Sequence, residues 1–593
     1  MTDKNGLNHQ LGDFRTDKRM LLLTLLALPV GAIGAVVAKL LLWLIAIITN
    51  ISFYGQFTAA PVTPEANHLH AWVIVIPVIG AVIIGLMARY GSEKIRGHGI
   101  PEALEAILLG RSLIEPKVAI LKPISSAVSI GTGGPFGAEG PIIMTGGAFG
   151  SIFAQLFNLT AAERKTLLVA GAAAGMSAVF ATPMAAMLLA VELLLFEWKP
   201  RSFVPVTAAS IMAAILRVPL LGPGPIFPVT PHPAMGTEAL VVALIIGIVT
   251  GLASALLTVL VYACEDLFQR LPMHWMWWPA IGAVAVGVGG WLDPRVLGVG
   301  YDTIHSLMRG ELIGAAILGL LVAKALVWSI SLGSGTSGGV LAPLLIIGGA
   351  LGAWLGQWSP VGDPGLWAMI AMGAMMGGTM RSPLTGIVFV LELSHDLNTL
   401  PMLLVSSTAA LGVTVLLMRR SILTEKLARR GQHIAREYSV DILELMRVAE
   451  AMDKEAPMIP SDMTVAELSR RITNADPSVA RRQGTLILDK ERKLAGIITR
   501  GDVVRALQHD STGAMTVLEA GKQELTVTYP EESLHDAIAK MLRHDIGRLP
   551  VVDPQDHGKA LGYLGRSCIL TARVRNQEEE EVRGRGPIFT FRA

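Results

Sequence analysis

The sequence predicts an all-α polytopic membrane domain of two inverted repeats, followed by a soluble α/β domain. Three observations carry this: composition, an internal repeat, and a sharp fall in hydropathy near residue 430. Of 593 residues, 52% are hydrophobic and only 16% charged, far from a soluble globular mixture. Apolar stretches able to cross a hydrocarbon core of about 30 Å recur from Met20 to Met418, among them Leu21–Ile48, Trp72–Met87, Leu240–Cys264 and Leu312–Leu332. Their unequal lengths require tilted or broken helices. The first is too long, and followed by too many others, to be a secretory signal. Cys264 and Cys568 stand far apart and give no sign of a disulfide framework or a zinc site.

Positive charge brackets the apolar region. Lys4, Arg15, Lys18 and Arg19 precede the first span, and Arg419, Arg420, Lys426, Arg429 and Arg430 follow the last. Under the positive-inside tendency both termini are cytoplasmic and the number of crossings is even. The expected setting is a cell's inner (plasma) membrane, with lipid as the surrounding partner and no nucleic acid. Residues 1–19 read as a cytoplasmic segment and 20–430 as the membrane domain, with repeats over about 20–217 and 237–418. Residues 431–575 read as the α/β domain. A loose tail is expected over 576–593, which begins with the acidic run Glu578–Glu581.

The repeat has a rigid displacement. Lys122, Gly137, Pro141, Gly146, Gly147, Ala148 and Gly150 recur 202 positions later as Lys324, Gly339, Pro343, Gly348, Gly349, Ala350 and Gly352. Gly97 and Gly99 recur as Gly298 and Gly300, and Pro183 and Glu192 as Pro383 and Glu392. Two homologous halves with an odd number of crossings each lie antiparallel, and such repeats place a substrate site at their interface, where broken helices meet.

Glycine and proline interrupt the apolar runs at Gly97–Pro101, Gly137–Pro141 and Gly338–Pro343. Each reads as a helix start, because proline fits the first turn and glycine lets the preceding backbone turn tightly. Helix N-termini gathered at membrane depth present unpaired N–H groups and the positive end of the dipole, which favours a small anion without a full countercharge. A permeating ion must also leave, so partial charges suit conduction. Close helix packing is the alternative role for the same glycines.

Glu139 is the ionisable group of an otherwise uncharged run from Pro123 to Ala162, and such a group is a functional candidate. Aimed at the helix ends, its carboxylate competes with the anion, and proton binding releases it. A helix-capping role is the alternative. Lys122 and Lys324 read either as sources of positive potential along the approach or as chains snorkelling to an interface.

These motifs make the chain resemble the CLC family of chloride channels and chloride/proton antiporters, of bacterial type, with an appended tandem pair of CBS domains. The family pattern Gly-Ser-Gly-Ile-Pro matches Gly97, Gly99, Ile100 and Pro101 apart from His98. Gly-Arg-Glu-Gly-Pro matches Gly137, Glu139, Gly140 and Pro141 apart from Ala138, and Gly-x-Phe-x-Pro matches Gly339 through Val340, Leu341 and Ala342 to Pro343, with leucine for phenylalanine. The resemblance implies that Glu139 is the external gating glutamate, that these three segments touch the anion, and that the protein is a homodimer with one pathway per subunit. It also exposes departures. His98 stands at the ion-selecting serine. Leu423 occupies the slot of a tyrosine whose hydroxyl touches the central anion. Leu193 replaces the inner glutamate of proton-coupled members, and only a different path would let Glu192 or Glu197 substitute. The expectation is therefore chloride transport gated by Glu139, channel-like in preference to proton-coupled antiport.

The α/β domain reads as two helix–strand–strand–helix units, about 452–508 and 515–572. Thr499 and Asp502 fit the CBS ribose-binding pattern and make an adenine nucleotide an optional ligand, with no cofactor required. In the second unit, Gly562 to Cys568 lacks both partners. A CBS-bearing divalent cation transporter is the more distant alternative, but a cation cage needs several oxygens and the mid-membrane repeat supplies the Glu139 carboxylate alone. No nucleophile–base pair, metal cluster or phosphate loop marks the membrane half as an enzyme.

Overall fold

The computed structural model describes residues 19–108, 112–430, 443, 446–477, 479, 482–510 and 512–585, with backbone alone from 576. The expected segment before Arg19 and the boundary near Gly431 lie outside these residues. Contacts divide the chain between Tyr438 and Ser439 into two compact units.

Among the described residues, the membrane unit contains two runs of eight helices. The first comprises α1 (Arg19–Thr49), α2 (Val75–Tyr90), α3 (Ile100–Leu108), α4 (Pro116–Gly131), α5 (Glu139–Gln155), α6 (Ala161–Phe180), α7 (Pro183–Leu189, continued by a π-helical turn Ala190–Leu195) and α8 (Pro200–Leu221). The second comprises α9 (Thr237–Gln269), α10 (Trp278–Leu292), α11 (Tyr301–Met308), α12 (Ala315–Gly333), α13 (Leu341–Gly356), α14 (Pro364–Met380), α15 (Pro383–Ser394) and α16 (Leu400–Leu417). A short α17 (Ile422–Arg429) follows. From α2 to α8 each helix begins about 200 residues before its counterpart, and the same pairs pack in both halves: α5 on α6 as α13 on α14, and α1 on α8 as α9 on α16. Among the described residues, six helical stretches are long and apolar enough to cross a membrane, while α7, α13 and α15 are shorter apolar pieces.

Local chemistry fixes the starts. Proline opens α4, α7, α8, α14 and α15, where its missing N–H costs nothing. Reciprocal Thr160–Glu163 and Ser421–Thr424 caps open α6 and α17. The glycines inside α5 and α13 serve close packing: a methyl group on Gly146 would overlap the Gly171 carbonyl, and one on Gly352 the Trp367 carbonyl.

The second unit comprises α18 (Val448–Ala451), β1 (Met458–Pro460), α19 (Val465–Thr473), β2 (Gly484–Leu488), β3 (Leu494–Thr499), α20 (Arg500–His509), α21 (Val517–Ala520), α22 (Leu534–Arg543), β4 (Arg548–Val552), β5 (Ala560–Gly565) and α23 (Arg566–Arg585). It repeats itself: α19-β2-β3-α20 and α22-β4-β5-α23 each wrap an antiparallel strand pair. β1 adds in parallel to β2, and Thr528 adds in parallel to Val551. One core gathers Ile459, Leu468, Ile487 and Ile498, the other Leu534, Leu549, Val551 and Leu564. The helix α23 continues through Arg585, where a loose tail was expected.

Candidate anion site

The three glycine breaks converge. Gly137 and Gly339, equivalent in the repeat, form an antiparallel bridge: Gly137 N–H donates to Gly339 O at 3.2 Å and Gly339 N–H to Gly137 O at 2.9 Å. Gly338 N–H donates to Gly97 O at 3.4 Å. A methyl group on Gly140 would overlap the His98 carbonyl, and one on Gly99 would lie 2.7 Å from Gly140 O. Gly97 and Gly99 also carry φ of +79° and +90°, a left-handed conformation that glycine adopts without strain. Side chains at these positions would force the breaks apart.

The turns aim unpaired amides at one place. Ala138 and Val340 are the N-cap residues of α5 and α13, and the first intrahelical bonds run from Ile142 N to Ala138 O and from Leu344 N to Val340 O. The N–H groups of Glu139, Gly140, Leu341 and Ala342 therefore precede the ladder. Pro141 and Pro343 have none to offer. At α3, Ile100 and Pro101 open the helix, with Ala103 N donating to Gly99 O at 2.9 Å and Gly99 N to Glu102 Oε2 at 2.9 Å.

Glu139 folds back onto this centre. A methyl group on Gly137 would overlap its carboxylate, and one on Gly339 would lie 2.8 Å from Oε2. The residue is fully buried. The amides of Glu139 and Ala342 lie beside the carboxylate, yet neither oxygen meets hydrogen-bond geometry with a partner among the described residues. His98 Nδ1, Thr145 Oγ1 and the Tyr301 hydroxyl are likewise buried without a partner. Buried polar atoms ordinarily take a partner, which can be water, an ion or a ligand.

The two lysines are clamps, which replaces the snorkelling reading. Lys122 is fully buried and donates to Ile95 O (2.8 Å), Gly97 O (2.7 Å) and Ser337 Oγ (3.1 Å). Lys324 is equally buried and donates to the equivalent carbonyls, Val296 O (2.8 Å) and Gly298 O (3.4 Å). Each pins the break that precedes its half's short helix. Glu192 and Glu392 form a second equivalent pair. Glu192 accepts from Leu384 N (3.2 Å), Thr385 N (2.8 Å) and Thr385 Oγ1 (2.6 Å) at the start of α15. Glu392 accepts from Met184 N (3.0 Å) and Ala185 N (2.8 Å) at the start of α7. Each repeat thus caps a helix of the other, so Glu192 is committed to a cap. Glu197 is engaged with Ser202 Oγ at 2.6 Å and Lys199 at 3.1 Å. Leu193 is fully buried.

Leu423 lies buried in the first turn of α17, which packs on α3 and is tied by the Tyr262 hydroxyl donating to Ile422 O at 2.5 Å. Sequence reasoning missed Ser337, which meets Lys122, Ser125 and Ser126, and Glu102 with Lys426 at 3.7 Å. An acidic residue directly after the Gly-Ile-Pro motif was the available signal for Glu102.

These features fit known proteins. The family model described as voltage gated chloride channel matches residues 79–415, and that for the CBS domain matches 448–509 and 522–575. The chain belongs to the voltage gated chloride channel (CLC) family. Its membrane unit transports anions, and its second unit is a tandem CBS domain. The H(+)/Cl(-) exchange transporters ClcA of Salmonella arizonae and Salmonella newport are each 29% identical over 418 residues, covering 68% of this chain and 86% of theirs. The fold matches a slow cyanobacterial Cl-/H+ antiporter (TM-score 0.60, 23% identity, 70% of this chain and 98% of that one). It also matches a eukaryotic CLC transporter (TM-score 0.58, 19% identity, 92% and 97%).

In the CBS unit Thr499 and Asp502 cap each other: Thr499 N and Oγ1 donate to Asp502 Oδ2 at 2.8 and 2.6 Å. A cavity of about 980 Å³ opens elsewhere, lined by Asp453, Arg482, Arg548, Tyr563, Arg566 and Arg575 among others.

Proposed function

We propose that the chain exchanges chloride for protons, with Glu139 as both gate and proton carrier. The observation that carries this is the Glu139 carboxylate lodged over Gly137 and Gly339, where two helix N-termini converge. A carboxylate there is a tethered anion in the position a free one would take. Protonation neutralises it, weakens its attraction to the helix ends and yields the position to chloride. The exchange activity named for the ClcA relatives supports coupling over the channel-like expectation. A passive channel is the second reading, favoured by buried Leu193 in place of an inner carboxylate.

The whole site is assembled within one chain, in keeping with one path per subunit; a homodimer in an inner (plasma) membrane with cytoplasmic termini is part of the same proposal. For the CBS unit, an adenine nucleotide is proposed, either at Thr499 and Asp502, which cap each other, or in the arginine-lined cavity, where cationic side chains can meet phosphate.

Liposomes loaded with chloride and holding no initial proton gradient test the coupling. Exchange predicts that the outward chloride gradient drives protons inward; chloride efflux without proton movement would establish the channel reading instead.

A further inference from the structure

We propose that Lys426 supplies a cationic anion-holding position beside the Gly97–Pro101 break, doing with charge what Leu423 cannot do with a hydroxyl. The inference rests on the anion-transport reading and deepens it. Lys426 lies one turn after Leu423 on α17, and its side chain is largely buried. A methyl group on Gly97 would lie 2.5 Å from its Nζ. The ammonium therefore rests on the backbone of the break itself.

Its ammonium has no short hydrogen bond to a protein acceptor among the described residues, and the neighbouring groups are engaged elsewhere. Lys122 has three acceptors, all in the protein. Arg430 engages Glu105 and reaches Glu102 at 3.5 Å. The ion pair of Lys426 is with Glu102 Oε1 at 3.7 Å, beyond hydrogen-bond length, and the other Glu102 oxygen accepts from Gly99 N. Three cations, Lys122, Lys426 and Arg430, thus surround one buried carboxylate. Counting Glu105, the partner of Arg430, two carboxylates face these three cations, and the balance at the start of α3 stays positive by one.

A second observation points to a ligand at the same place. The His98 ring is 97% buried with Nδ1 unpaired, and the Glu102 carboxylate together with Lys426, Lys122 and Arg430 lies within electrostatic reach of it. With the imidazole proton on Nδ1, that N–H, the Lys426 ammonium and a helix N-terminus together suit a small hydrated or partly dehydrated anion.

The test uses the full-length protein in liposomes, with chloride varied at constant ionic strength using an impermeant organic anion. Lys426→Met raises the half-saturating chloride concentration about tenfold while changing the maximal rate less. Lys426→Arg restores it to within about twofold of the original. The difference shrinks as ionic strength rises, because the screening length falls from about 10 Å at 0.1 M to about 3 Å at 1 M. An unchanged half-saturation in Lys426→Met overturns the proposal, as does an arginine variant as impaired as the methionine one, which would indicate packing. Should Lys426→Met not fold, Lys426→Gln takes its place. If neither folds, bromide anomalous density beside Lys426 Nζ in the unaltered protein supports the proposal, and its absence overturns it. Failure of the unaltered protein to move chloride would instead defeat the transport reading.

Discussion

The two halves of the membrane unit share a backbone frame and differ in chemistry. Lys122 and Lys324 hold equivalent carbonyls, Gly137 meets Gly339, and Glu192 and Glu392 cap each other's neighbouring helices. At the centre the halves part company: Glu139 faces Leu341 across the repeat, His98 corresponds to Val299, and Glu102 to Thr303. Symmetry builds a neutral cradle of helix ends. Asymmetry then places a titratable carboxylate at the first half's break alone, and brings cations from α17 onto that half's Glu102 and not onto its counterpart Thr303.

The lysine clamps offer the largest test of that comparison. Charge-assisted hydrogen bonds contribute about 1.5–3 kcal/mol each. Lys122 makes three short bonds and Lys324 one short and one long. Lys122→Met should therefore lower stability by on the order of 5 kcal/mol and Lys324→Met by about half as much, read from thermal unfolding of the purified proteins. Equal losses would mean that the frame is loaded evenly.

Leu341→Glu restores the missing carboxylate to the second half. Two carboxylates at one set of helix ends should slow chloride flux about tenfold at neutral pH, corresponding to about 1.4 kcal/mol of barrier. The sign follows from repulsion of the anion, so lowering the pH recovers the rate as the carboxylates protonate. A rate indifferent to the substitution would place position 341 off the path.

The smallest expected effect separates the capping glutamates. Glu192→Gln and Glu392→Gln should each cost about 1 kcal/mol, Glu192 the more because it also holds Thr385 Oγ1. Proton coupling should survive both. Loss of coupling in Glu192→Gln alone would make that residue a proton relay.

Much of this frame was legible because glycine and proline act locally. The breaks at Gly97, Gly137 and Gly339 and the fixed displacement between halves follow from residue types that dictate helix starts. Lys122 and Lys324 were found by position but not by role, since their acceptors lie on carbonyls more than twenty residues away. Lys426 was hidden: its partner Glu102 is more than three hundred residues distant, and among the basic residues after the last span it looked like part of a flanking charge cluster. Leu193 pulled the functional reading toward a channel because the absence of one carboxylate says nothing of alternative proton routes.

The central claim is that the Glu139 carboxylate occupies an anion position. Crystals of Glu139→Gln soaked in bromide test it most directly. An anomalous peak beside the amides of residues 139 and 342, absent from the unaltered protein, is the result this account predicts. Bromide found only elsewhere in the variant would contradict it.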